Sequence, residues 1–201
     1  MDVIVDPVKG HAMNLDTWEF WFQSIRMKHV IAFIAGPPCE SWSCARGHHD
    51  QVFDEEGEVC PPLGLRVIRD LDHLWGFNSV RLKELLQLYT GNSGNYLLSF
   101  ALVATLEIIL INGFAILEHP AEPEHLPTAA SIWRLPVVRT LLALPNVQRI
   151  RLAQGLMGSA TPKPTHLLTV NLPDLMIDLH ACRVRTELPG KIAIGKDHMG
   201  C

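Results

Sequence analysis

The chain has 201 residues, 48% of them hydrophobic and 19% charged, and a formal net charge of −4 at pH 7. This composition excludes an intrinsically disordered chain, and the length suits a single folded domain. A slightly negative net charge is not typical of a protein that binds duplex DNA tightly on its own, although it is compatible with a basic cleft on an otherwise acidic surface.

The cysteine usage and the hydropathy pattern bear on localisation. Five cysteines, without the spacing of a disulfide framework, predict a reducing compartment. The N-terminus lacks the basic and apolar regions of a signal peptide. The long apolar run at 96–117 is interrupted by Glu107 and Asn112, so it predicts a buried helix and strand. We therefore expect an intracellular, soluble protein with no membrane partner.

The first part of the chain predicts a strand, a helix and a second strand. An apolar run at 3–5 precedes a helix that Asn14 or Asp16 can cap and that ends near Lys28. A buried strand begins at Val30, so the crossover should be right-handed. Residues 47–78 are polar and rich in Pro and Gly, which predicts an insertion loop, with a short helix at 65–74, beside a site.

The second part of the chain alternates between helical and strand patterns. Helices are predicted at 79–88 and 95–111, and Gly113 ends the second of them before a strand at 114–117. An amphipathic segment at 131–144, strands at 147–152 and 167–170 and a helix at 175–182 follow. The pattern predicts an α/β fold with a mostly parallel sheet and helices on both faces.

A cysteine follows the strand that begins at Val30. Gly36 permits an unusual turn, and Pro37 and Pro38 fix their own backbone angles, so Cys39 is presented rigidly beyond the carboxyl end of a buried strand. Most free cysteines are small buried hydrophobic residues. The polar residues that follow Cys39 favour a functional thiol instead.

This stretch resembles a known enzyme family. Gly-Pro-Pro-Cys after an apolar strand is similar to the catalytic motif of the DNA cytosine-5 methyltransferases, and Pro-Pro-Cys-Glu-Ser-Trp-Ser-x-Ala-Arg at 37–46 resembles a divergent, phage-like or mobile-element branch. The resemblance implies a Rossmann-like methyltransferase fold, S-adenosylmethionine as methyl donor, DNA as partner and Cys39 as the nucleophile. It implies substrate contacts from Pro37, Pro38, Ser41, Ser43 and Arg46.

Two further segments match this resemblance. Glu118, after the strand at 114–117, stands where the family has Glu-Asn-Val, although His119 and Pro120 depart from that motif. Its carboxyl group would hold the ring nitrogen of the cytosine. The Gln-Gly turn and Lys-Pro-Thr segment of the divergent branch imply further substrate contacts from Gln154, Lys163 and Thr165; a simple Gly/Pro hairpin is the alternative interpretation.

The cofactor half departs most from the family. The family's first strand and its Phe-x-Gly-x-Gly turn have no counterpart, so residues 1–201 are expected to form a partial, N-terminally truncated methyltransferase-like domain. A partner segment could supply the missing strand. The cofactor positions implied by the resemblance are Asp6, Asn14, Pro37, Asn95 and Leu97.

Two alternatives stay open. The chain could be a catalytically inactive, mobile-element-derived remnant that acts as a binding or structural module. It could be an unrelated cysteine hydrolase with His119 as the base for Cys39. A zinc site is not predicted, because the candidate ligands lack paired spacing; they are Cys39, Cys44, His48, His49 and Cys60.

Overall fold

The computed structural model describes residues 14–42, 67–79, 94–124, 126–183 and 187. Its helices are α1 (Leu15–Arg26), α2 (Gly94–Leu110), α3 (Pro136–Leu142) and α4 (Leu175–Ala181). Its strands are β1 (Ala32–Ala35), β2 (Phe114–Pro120), β3 (Val147–Ala153) and β4 (Pro164–Val170). Short 3-10 turns occupy Glu40–Trp42, Ile132–Arg134 and Gln154–Met157.

The predicted elements are found with shifted ends, and some lie outside the described residues. The strand at 3–5, most of the insertion at 47–78 and nearly all of the helix at 79–88 belong to the undescribed part. The short helix predicted at 65–74 is wrong where the structure can be compared, because residues 67–74 are irregular and include an isolated β-bridge between Asp70 and Ala129.

The four strands form one mixed sheet in the order β1-β2-β4-β3. β1 and β2 are parallel, whereas β4 runs antiparallel to both β2 and β3. The α/β class is confirmed, but a mostly parallel sheet is not. The reason is the short connection at 154–163, which can join antiparallel neighbours but cannot make the crossover that parallel strands need.

Helix α1 begins where the side chain of Asn14 accepts a hydrogen bond from the Asp16 amide at 3.0 Å, as the capping pattern predicts. It packs on α2 through Phe22 and Ile25. The Nε of Arg26 in its last turn donates to Glu107 Oε2 of α2 at 3.0 Å. This pairing explains how an otherwise apolar helix accommodates a buried carboxylate.

The hydrophobic core lies against one face of the sheet. Alternate residues of β2 are buried, and Ala115 and Leu117 join a cluster with residues of α1, α2 and α3. The opposite face is open at the β1–β2 edge, where Ile34 is 77% exposed and Phe114 is 44% exposed. None of the helices that the structure describes has the length and apolarity to cross a membrane.

Candidate functional site

The end of β1 meets Glu118 of the neighbouring strand. In the parallel ladder Ala35 is opposite Leu117, so Gly36 and Glu118 follow side by side. A Cβ added to Gly36 would lie 3.2 Å from Glu118 Oε2, so any larger residue would crowd this carboxylate. The structure therefore brings the loop that carries Cys39 next to Glu118, although β2 continues through Glu118 to Pro120 rather than ending before it.

The loop after β1 presents Cys39 in a closed turn. Pro37 is buried, and Pro38 and Cys39 are partly buried; Cys39 forms no disulfide. The amide of Trp42 donates to the carbonyl of Cys39 at 2.8 Å, which closes the 3-10 turn at Glu40–Trp42. Two prolines before the thiol and a hydrogen-bonded turn after it restrict where Cys39 can lie.

Two side chains of the β3–β4 hairpin contact the carboxylate. Gln154 Nε2 donates to Glu118 Oε1 at 3.1 Å, and Lys163 Nζ lies 3.6 Å from the same oxygen. Both contacts involve Oε1, whereas Oε2 lies on the side of Gly36. The structure thus assembles Glu118, Gln154 and Lys163, three of the residues singled out from the sequence, beside the loop of Cys39.

Lys163 is held in an unusual backbone conformation. Its φ of 31° is in the left-handed region, which residues other than glycine seldom occupy. Its carbonyl accepts hydrogen bonds from the Gln154 amide at 3.2 Å and the Thr165 hydroxyl at 3.1 Å. Thr165 is fully buried, so in this structure it braces the Lys163 turn.

Sequence reasoning missed a buried arginine behind the Cys39 turn. Arg69 is 2% exposed, and its two terminal nitrogens donate at 2.8 Å to Ser41 Oγ and Asn95 Oδ1. One of them also donates to the carbonyl of Leu74 at 2.8 Å. The guanidinium carbon lies 3.9 Å from the ring centroid of Trp42. The only local signal is that Arg69 directly follows two β-branched apolar residues in a polar segment.

The remaining predicted contacts are distributed differently. Ser41 and Asn95 are buried and bound to Arg69, and Asn95 Nδ2 also donates to the carbonyl of Trp75 at 2.7 Å. Asn14 caps α1, and Leu97 is partly buried in α2. Two of the predicted cofactor residues, Asn14 and Asn95, therefore make structural contacts. Ser43, Arg46 and Asp6 lie outside the described residues.

A pair of buried histidines lies on the core face of the sheet, the face opposite to that of Glu118. His119 is opposite His166 in the β2–β4 ladder, and alternation places it away from Glu118. Burial, together with the charge of Arg69, lowers the pKa of His119 from 6.5 to about 3. Burial and the charge of Arg149 lower the pKa of His166 to about 4.

His119 does not form the nucleophile–base contact that a cysteine hydrolase requires. Neither of its ring nitrogens makes a hydrogen bond of good geometry, and the ring instead packs edge-on against Trp42, with the centroids 6.0 Å apart. The geometry gives that alternative no support. In the described ranges, no group of three or more His, Cys, Asp or Glu side chains could hold a metal ion.

The arrangement brings the loop that carries a thiol close to a hydrogen-bonding carboxylate. A rigid loop carries the thiol of Cys39, Glu118 offers a carboxylate oxygen toward that loop, and Lys163 adds a positive charge. No protein-family model, curated protein or solved structure gives a significant match to this chain, so its function is inferred from the motifs and this geometry.

Proposed function

We propose that the chain is a DNA cytosine-5 methyltransferase-like domain in which Cys39 attacks carbon six of a cytosine. The observation that carries the proposal is the approach of Glu118 Oε2 to Gly36 at the head of the Pro-Pro-Cys loop, with Gln154 and Lys163 on the other carboxylate oxygen. These are the positions at which the sequence resembles the family.

The chemistry follows from the electron-poor ring of cytosine. A bond from Cys39 Sγ to carbon six moves electron density to carbon five and to the ring nitrogen at position three. Glu118 would hold the proton that this nitrogen gains, and Lys163 would offset the negative charge that develops on the ring. After methylation, a solvent water would take the proton from carbon five, the bond between carbon six and Cys39 Sγ would break with the thiolate as leaving group, and the ring nitrogen would return its proton to Glu118, which restores the aromatic ring.

S-adenosylmethionine would supply the methyl group. Of the residues that the resemblance implies for its binding, Asn14 caps α1 and Asn95 binds Arg69 and the carbonyl of Trp75. We assign no residue of the described chain to its binding on structural grounds. A catalytically inactive domain of the same fold, acting as a binding or structural module, is the second candidate. The hydrogen bonds of Asn14 and Asn95 to groups of the chain itself favour it.

The sheet supports the proposed fold. The parallel pair of β1 and β2 places the residues that follow both strands at the same edge of the sheet, as a Rossmann-like fold requires, and β4 lies antiparallel between β2 and β3. β1 lies at the edge of the described sheet. The family's preceding strands, from this chain or from a partner segment, would pair at that edge.

DNA is the proposed partner, and the target cytosine must leave the base stack to reach the pocket. Extrusion of a base costs a few kcal/mol, which contacts to the flipped base have to offset. Glu118 and Gln154 offer acceptor and donor groups for the Watson–Crick edge of such a base. We therefore expect the substrate to be cytosine in DNA, and single-stranded or mismatched sites to be modified most readily.

Transfer of a tritiated methyl group from S-adenosylmethionine to cytosine-containing DNA tests the proposal. We expect incorporation with the wild-type chain, none with Cys39→Ser, and a large loss with Glu118→Gln. Cys182→Ser is the matched control, because Cys182 is exposed and distant in sequence from the site. Incorporation that survives Cys39→Ser would refute the assigned nucleophile. Absence of transfer by a folded wild-type chain would favour the inactive domain.

A further inference from the structure

We propose that Arg69 is a positioning residue for Cys39: it fixes the turn that presents the thiol, and its charge favours the thiolate form of that residue. The inference depends on the proposed function for the role of the thiol. It concerns a residue outside every motif by which the sequence resembles the methyltransferases.

Arg69 joins its own segment to two other parts of the chain, the turn after β1 and the start of α2. Its two terminal guanidinium nitrogens donate to Ser41 after β1 and to Asn95 in the first turn of α2, both at 2.8 Å. Its guanidinium carbon lies over the Trp42 ring, 3.9 Å from the ring centroid. The planar guanidinium can make these contacts together, whereas a lysine could not reproduce both the fork and the stacking.

The turn held by Arg69 contains Cys39. Ser41 and Trp42 both contact the guanidinium, and the Trp42 amide donates to the Cys39 carbonyl at 2.8 Å. On the other side, a Cβ at Gly94 would lie 2.8 Å from Ser41 Oγ and 3.2 Å from the carbonyl of Pro38. The Cys39 turn is therefore clamped between Arg69 and the start of α2.

The charge of Arg69 acts on its surroundings at this end of the sheet. A guanidinium stays protonated in proteins, and in a buried position its field is poorly screened. This field contributes to the low pKa of His119, which packs against the same Trp42. A cation beside a cysteine favours the thiolate, which is the form that attacks carbon six. Arg69 thus links the shape of the turn to the reactivity of its thiol.

The pH dependence of alkylation by iodoacetamide tests this role. It is measured in a background in which the other cysteines are replaced by serine; these are Cys44, Cys60, Cys182 and Cys201. We expect Cys39 to react with a midpoint below the value of about 8.5 typical of a free thiol. Arg69→Met should raise that midpoint by about half a unit to one unit, and Arg69→Lys should restore much of it.

A second variant keeps the arginine. Asn95→Asp would place a carboxylate at the position that now accepts from Arg69 at 2.8 Å, so it should raise the midpoint while Arg69 keeps its hydrogen bonds. The variant also loses the hydrogen bond from Asn95 Nδ2 to the carbonyl of Trp75, so circular dichroism is used to check that it folds. The matched control is Arg134→Met, because Arg134 is also largely buried and its Nε donates to Glu122 at 2.6 Å, in another part of the fold. This control should leave the midpoint unchanged.

The two effects of Arg69, on the shape of the turn and on the charge near it, appear in different parts of the curve of alkylation rate against pH. Loosening of the turn changes the plateau rate at high pH, whereas loss of the charge moves the midpoint. An unchanged midpoint in Asn95→Asp and in a folded Arg69→Met would overturn the inference; if Arg69→Met does not fold, Asn95→Asp decides alone. Alkylation requires no methyl transfer, so an inactive protein with an Arg69-dependent thiol would refute the proposed function and support this inference.

Discussion

Lowering the pH should destabilise the fold through His119, which is 2% exposed and lies between β4 and Trp42. Burial and Arg69 hold its pKa at about 3 in the folded chain, against 6.5 for the unfolded chain. Between these values the unfolded state binds the proton and the folded state does not. Stability is therefore greatest above 6.5 and falls as the pH decreases toward 3.

The magnitude follows from this difference in proton binding. Between about pH 8 and about pH 5, His119 should lower the free energy of unfolding by about 2 kcal/mol. His166, whose pKa is also lowered, adds to the loss in the same direction. The interval stops above the range in which carboxylates begin to titrate, so the histidines dominate the change.

Urea unfolding followed by tryptophan fluorescence at several pH values measures this effect. His119→Phe keeps an aromatic ring against Trp42 but removes the titrating group, so its stability should vary by about 2 kcal/mol less over the same interval. His29→Phe, at an exposed position, is the control and should retain the wild-type pH dependence. Equal pH dependence in wild type and His119→Phe would refute the reasoning.

Three further predictions test other contacts. Gly36→Ala should leave the thermal midpoint nearly unchanged but reduce methyl transfer severalfold, because its Cβ would crowd Glu118 Oε2 at 3.2 Å; wild-type activity would contradict this. Gly113→Ala should lower the free energy of unfolding by about 1–3 kcal/mol in chemical denaturation, since its Cβ would lie 2.5 Å from the carbonyl oxygen of Ile31. An unchanged stability would show that the backbone at Ile31 moves away at no cost. Asn14→Ala should lower the free energy of unfolding by about 1 kcal/mol, because it removes the cap of α1. Binding of S-adenosylhomocysteine, measured by calorimetry, should not change. A selective loss of that binding would support the prediction that Asn14 contacts the cofactor.

Local patterns in the sequence were sufficient for much of the fold. The Asn14 cap, the apolar face of α1 and Gly113 after α2 predict helix ends within about two residues, because these signals depend on neighbouring residues. The end of β2 could not be predicted in this way. That strand continues through His119 because β4 pairs with it as far as Pro120, and such pairing is not visible in the local sequence.

Strand direction is the part of the predicted architecture that the structure does not confirm. The strands at β3 and β4 were recognised from their apolar patterns, but apolar runs do not reveal orientation. The connection between Ala153 and Pro164 carries the missing information, since it is too short for a crossover helix. With that constraint the mixed sheet could have been predicted.

The site shows the same division between local and distant information. Cys39 and Glu118 could be singled out because each is a reactive side chain at the end of an apolar run. Arg69 could not, because its burial depends on Ser41 and Asn95, which come from other segments of the chain. Local sequence also gave no indication that Asn95 is occupied by this arginine.

The most direct test of the central claim is to trap the bond between Cys39 and the cytosine ring. The chain is incubated with S-adenosylmethionine and an oligonucleotide that carries 5-fluorocytosine, whose carbon five has no proton to lose after methylation. The account predicts a covalent protein–DNA adduct that depends on the methyl donor, maps to Cys39 by mass spectrometry and is absent from Cys39→Ala. A folded wild-type chain that forms no adduct, or an adduct that persists in Cys39→Ala, would contradict it.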